Sequence, residues 1–154
     1  MTDYYADSSV LVKRHVRETG TDWFRAMVDP VAGHIITTAR LSMVEIYSAV
    51  SRRLREGHLT PGQYAEVIAD FAAFCAAEYE FVELTSTVIL YARTLLERHP
   101  LRAYDAVQLA SALAVRERLE ASGLPAPVFL TADNRLLNAA QAENLLTDNP
   151  ALHP

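Results

Sequence analysis

The feature that most narrows the folds open to this chain is a repeated alternation. Short apolar, β-branched or aromatic runs are followed by longer segments of helical periodicity, and no Asn-Gly or Asp-Gly hairpin turn joins one run to the next. Tyr4 to Ala6 reads as a strand and Ser8 to about Glu18 as a helix; a second short helix covers Thr21 to Val28. His34 to Thr37 is again strand-like. Ala39 to Arg55 then carries Leu41, Val44, Ile46, Val50 and Leu54 at helical spacing until Gly57 stops it. Thr60-Pro61-Gly62-Gln63 combines an N-cap hydroxyl, a proline in the first turn and a capping-box Gln, which predicts a helix reaching about Glu78. Glu80 to Leu84 is a strand, Ser86 to Arg98 a helix, and Arg102 to Ala121 a longer helix between Pro100 and Gly123. Pro127 to Thr131 is a buried-type strand, Asn134 to Ala142 a helix, and Leu145 to Thr147 a last extended piece. Strands joined through helices need crossover connections, so the class is α/β with a mostly parallel sheet covered on both faces.

Length and composition agree with one domain over 1–154. At 51% hydrophobic residues the chain can bury roughly 70% of its unfolded surface, and no run approaches the ~18 to 20 apolar residues of a membrane span. MTDYYADSSV lacks a basic start and a continuous apolar stretch, and Cys75 is alone, so neither export nor disulfide stapling is expected and a reducing cytoplasm fits. With 19 acidic residues against 14 basic ones, the net charge of −5 argues against simple coating of a phosphate backbone.

Four carboxylates stand where an acid needs explaining. Asp7 and Asp133 each follow a strand and precede a helix, at the carboxyl ends where parallel sheets place their crevice, although either could be only an N-cap. Glu45 shares a helix face with Leu41, Ser42, Ser48 and Ala49. Ser42-x-x-Glu45 also matches a capping box, but Thr38 is the better cap because Leu41 already belongs to the periodic pattern. Asp105 sits in the first turn of its helix, where the dipole favours it, yet Ala103, Tyr104, Ala106 and Val107 surround it. Were the four acids to converge, neighbours at ~4 Å would repel by ~4 kcal/mol at an effective dielectric of about 20, so cations or protonation are required. Oxygen-only ligands suit Mg2+ or Mn2+, and the chemistry inferred is metal-assisted phosphoryl transfer. Arg14, Arg40, Arg102 and Arg135 are candidates for steering phosphates. The stripe of Tyr64, Val67, Phe71 and Phe74, with Ile68 and Cys75, is expected in the core. The five histidines show no ligand spacing and are given no catalytic part.

In that order and at those separations, YYADSSVLVK, RLSMVEIYSAV, LRAYDAVQLASALA and VFLTADNRLLNAA resemble the PIN-domain ribonucleases, and most closely the VapC-type toxins of bacterial toxin–antitoxin pairs. The resemblance implies a three-layer α/β/α domain with a roughly five-stranded sheet, and an acidic quartet of Asp7, Glu45, Asp105 and Asp133 holding Mg2+ or Mn2+. Ser8 and Thr131 fall where the family often has a hydroxyl assisting the metal shell. It further implies an endoribonuclease acting on RNA, a homodimer, and neutralisation by a small antitoxin. Asn144 stands where relatives often carry Gly; Asn can adopt the left-handed conformation that ends a helix. The alternative is a catalytically inactive PIN-like module that binds RNA or protein. An aspartyl phosphatase lacks support because Ser8 and Ser9, not a second acid, follow Asp7, and no Gly-x-Gly-x-x-Gly is present for a dinucleotide.

Overall fold

A computed structural model describes residues 1–154. Five strands form one sheet: β1 (Asp3–Ala6), β2 (Ile35–Ala39), β3 (Tyr79–Val82), β4 (Val128–Leu130) and β5 (Thr147–Asp148). Every pairing is parallel and the spatial order is β3-β2-β1-β4-β5. Seven α-helices make the crossovers: α1 (Ser8–Leu11), α2 (Thr21–Met27), α3 (Leu41–Arg55), α4 (Pro61–Ala77), α5 (Ser86–Arg98), α6 (Ala103–Ala121) and α7 (Asn134–Ala142). From β1 the chain winds outward through β2 to β3, then returns past the start to lay down β4 and β5. The reversal point is the carboxyl end of β1, flanked by β2 and β4, where open α/β sheets open their crevice.

Strand alternation sorts side chains into two cores. Tyr5 and Phe129, their rings stacked with centroids 5.5 Å apart, join Leu95, Leu109, Leu113 and Leu136 under α5, α6 and α7. Ala6, Ile36 and Leu130 join Leu11, Phe24, Ile46, Val50 and Phe71 under the first four helices. Burial on both faces is why the strands read as continuous apolar runs. The stripe on α4 meets this second core as expected, with Phe71 fully buried and Tyr64, Val67, Ile68, Phe74 and Cys75 packed against it.

Several boundaries differ from the sequence reading, some of them because a partner from another element intervenes. The helix expected from Ser8 to Glu18 ends after α1 in a 3-10 turn, Val12–Arg14. Glu18 is held elsewhere: Lys13 and Arg53 bind its two oxygens at 3.0 and 2.7 Å, and its amide donates to Thr21 Oγ1. Thr38 is not a helix cap. It lies inside β2, and α3 starts at Leu41 with no side-chain cap, since the side chain of the residue before it, Arg40, has no acceptor to offer; the Arg40 amide donates to Val82 O of the neighbouring strand. The third strand begins at Tyr79 rather than Glu80, and the last covers Thr147–Asp148 rather than Leu145 to Thr147. No helix is long and apolar enough to cross a membrane.

Candidate active site

Asp7 ends β1 and caps α1, with extended backbone angles (φ −78°, ψ 174°). Its Oδ1 accepts from the Val10 amide at 3.1 Å and Ser9 Oγ at 2.6 Å, and its Oδ2 from Thr131 Oγ1 at 2.6 Å. A surface cap needs only the amide; this one is 4% exposed. Burial pushes its pKa up to about 6, against the lowering effect of the three donors, and the nearby Glu45 charge raises it further.

Two hydroxyls tie the first crossover to the fourth. Thr131 Oγ1 donates to Asp7 and accepts from the Asp133 amide at 3.1 Å, while Ser9 Oγ donates to Asp7 and accepts from the Ala132 amide at 3.0 Å. Asp133 caps α7: its Oδ1 accepts from the amides of Arg135 and Leu136 at 2.8 and 3.3 Å, which leaves Oδ2 for another partner.

Glu45 is set from two sides. Ser8 Oγ donates to its Oε2 at 2.9 Å, and Gln108 Nε2 to its Oε1 at 2.8 Å. Gln108 is 1% exposed; it also donates to Ser42 Oγ at 2.9 Å and accepts from the Tyr5 hydroxyl at 2.7 Å, and Ser42 in turn pairs with Thr38 at 2.7 Å. Burial holds the Tyr5 pKa well above its usual value, so this hydroxyl stays a donor. Asp105, half-buried on the first turn of α6, has its pKa raised by burial, then by the charges of Asp133 and Glu45, with Arg102 opposing.

The four acids come from four elements, and neighbouring pairs feel one another's charge: Asp7 that of Glu45, and Asp105 those of Asp133 and Glu45. No three His, Cys, Asp or Glu side chains close into a cage for one ion. The sequence assigns Ser8 and Thr131 a supporting place at the acids but gives no such part to Ser9, Ser42 or Gln108. Ser9 had a usable signal, a hydroxyl two residues past a capping Asp. Gln108 offered only a neutral amide on the apolar side of a helix.

The four arginines divide. Arg102 and Arg135 are exposed beside Asp105 and Asp133. Arg14 is bound by Glu78 at 2.7 Å, donates to the Tyr79 hydroxyl and lies 3.4 Å over Phe74, in a cleft lined by Asp29 and Asp70 but by none of the four candidate acids. Arg40 donates to Glu83 at 2.7 Å and lies over Phe81.

Residues 4–142 match the PIN domain family. Ribonuclease VapC45 of Mycobacterium tuberculosis (strain CDC 1551 / Oshkosh) is 37% identical over 138 residues, 90% of this chain and 89% of that one. Among solved structures, VapBC2 from Rickettsia felis bound to a promoter DNA fragment is similar with a TM-score of 0.63 at 14% identity, covering 96% of this chain and 98% of that one. A toxin–antitoxin complex from Klebsiella pneumoniae gives 0.60 at 12%, covering 96% and 97%. With a family match over residues 4–142 and a relative 37% identical over 90% of the chain, the chain belongs to the PIN-domain family and within it to the VapC type.

Proposed function

We propose that this protein is a divalent-metal-dependent endoribonuclease and the toxin of a toxin–antitoxin pair, its four acids Asp7, Glu45, Asp105 and Asp133 forming the metal-binding pocket. The observation that carries the reading is Asp7: a carboxylate 4% exposed, oriented by three donors, at the sheet's reversal point and within reach of the Glu45 charge. A structural cap gains nothing from such burial, whereas a cation offsets both the desolvation and the repulsion.

The donor set fits a hard ion. Its ligating atoms are carboxylate oxygens, and Mg2+ is usually held by one or two carboxylates with water and substrate phosphate completing the shell, so a closed protein cage is not required. Mg2+ or Mn2+ is proposed. When bound, the ion supplies an activated water and stabilises charge on the phosphodiester. This chain's residues do the positioning. Ser9 and Thr131 fix Asp7, while Ser8 and Gln108 fix Glu45. Arg102 and Arg135 form an exposed rim able to meet the phosphates of RNA. The proposed partners are an antitoxin, as in the Klebsiella pneumoniae toxin–antitoxin complex, and a second copy of this chain; the proposed location is the cytoplasm.

The test is antitoxin-free protein incubated with total RNA, with Mg2+ or Mn2+ and with chelator. Cleavage that needs the cation and disappears in Asp7→Asn and Asp105→Asn, with both variants folded by circular dichroism, is the expected result. A parallel melt should show the cation raising the midpoint of the parent more than that of either variant. Full cleavage by either variant, with contaminating nuclease excluded, removes the mechanism. RNA or protein binding without any cation-dependent cleavage by the parent leaves the inactive module in its place.

A further inference from the structure

Beside the carboxylates the surface carries a groove that acid chemistry does not explain. Two clefts, of about 290 Å³ and about 350 Å³, share Glu45, Ala49 and Arg52 in their walls, so they run together along one side of α3. Those three residues follow at intervals of four and three, which puts them on one helix face. At one end stand Val44 and Tyr104, 59% and 57% exposed. The other end reaches Ser8, Ser9 and Ala132, the neighbours of Asp7 and Asp133.

The cations along this groove are not equivalent. Lys13 and Arg53 share the carboxylate of Glu18. Arg52 is exposed between the two clefts and pairs with no acid, so its guanidinium is available to an anion. Tyr104 likewise makes no ring stack; it precedes Asp105 on the first turn of α6 and presents its ring to solvent. A free guanidinium and a free aromatic ring in the wall of one cleft is the pairing that single-stranded nucleic acid uses, phosphate on the cation and base face on the ring. A peptide segment would favour the more apolar cleft lined by Ile89, Ala92, Leu96 and Val107.

We propose that this groove is a subsite for one unpaired nucleotide flanking the cleaved phosphodiester, its base stacked on Tyr104 against Val44 and its phosphate bound by Arg52. The assignment rests on the ribonuclease reading and deepens it by naming the side chains that would hold a nucleotide beside the cleaved bond. In a duplex both faces of a base are already stacked and cannot meet Tyr104.

The experiment separates binding from cleavage. Short RNA carrying a 2-aminopurine is titrated with protein in chelator, single-stranded and annealed to its complement, using the parent, Tyr104→Phe, Tyr104→Ala and Arg52→Gln, all checked for an unchanged melting midpoint. The parent and Tyr104→Phe should quench the probe, while Tyr104→Ala loses the quench and binds the single strand about tenfold more weakly. Arg52→Gln should weaken binding and lower the log–log salt slope by about 0.7. The duplex should bind more weakly than the single strand. The subsite is overturned by unchanged single-strand affinity in Tyr104→Ala and Arg52→Gln, by Tyr104→Phe behaving like Tyr104→Ala, by equal binding of duplex, or by loss of antitoxin binding with RNA binding intact. Quenching by a parent that cleaves nothing under any cation leaves the subsite standing and removes the nuclease reading.

Discussion

Asp7 combines two roles that pull in opposite directions. As an N-cap it gains by being ionised, because the first-turn amide and the helix dipole favour a negative charge. As a side chain sealed under Thr131 and Ser9 it loses by being ionised, and burial wins, leaving the pKa at about 6. Gln108 shows the same economy of placement without a charge, since one amide touches Glu45, Ser42 and Tyr5. Gln108→Leu should therefore remove the acceptor of the buried Tyr5 hydroxyl and release one oxygen of Glu45. We expect a loss of about 1 to 3 kcal/mol in urea unfolding, together with a fall in cation-dependent cleavage larger than that of an equally destabilised variant far from the site. Equal falls in the two proteins would assign Gln108 to stability alone. The acids were legible in the sequence because a charge among alanines and leucines is conspicuous. Gln108 and Ser9 were not, since a neutral polar side chain costs little until its partner, 63 residues away for Gln108 and Glu45, is known.

At the level of elements, local chemistry was readable wherever it acts locally. Thr60 and Gln63 form the reciprocal capping box that the sequence announces, with both bonds present at 3.1 and 2.9 Å. Asn144 adopts a left-handed backbone (φ 64°) at the end of α7, as its side chain allows. Some of the misplaced boundaries lie where another element supplies a partner, as Val82 does for the Arg40 amide and Lys13 and Arg53 do for Glu18. Gly20 is an element-scale constraint of a different kind. It precedes α2 with φ +87°, and a Cβ there would run into the carbonyl of Pro150. That contact packs the C-terminal turn on α2, where Trp23 stacks on His153 with ring centroids 4.3 Å apart. Gly20→Ala should destabilise by at least about 1 to 2 kcal/mol from the backbone conformation alone. The emission of Trp23, the only tryptophan, should report the loosened turn; unchanged emission and stability would contradict this account.

For the whole molecule, stability follows the two cores, and one histidine ring packs against the edge of the second. His15 is wedged between Phe71 and Phe74, with ring centroids at 5.4 and 5.6 Å, and its buried Nε2 has no hydrogen-bond partner. Burial lowers its pKa to about 4; Arg14 and Arg25 push the same way and Asp70 against them. The folded state therefore prefers neutral His15. Above the ordinary histidine pKa neither state binds the proton and nothing is lost, whereas on acidification the unfolded chain takes it up first and stability falls until the folded pKa is passed. Between about pH 6.5 and about pH 4.5 the parent should lose on the order of 2 kcal/mol more than His15→Leu in urea unfolding. Parallel curves for the two proteins would show that this ring does not titrate as described.

The sheet order also governs when the pocket can exist. Asp7 is translated early in the fold, yet the hydroxyl that seals it belongs to Thr131, 124 residues later, just past the strand β4 that is inserted alongside β1 only after the chain has turned back. A chain that has not yet reached Thr131 lacks both β4 and the hydroxyl that seals Asp7, so a centre of the kind proposed cannot assemble until that segment has been made. Premature stops or truncations upstream of β4 would yield harmless fragments rather than weakened nucleases.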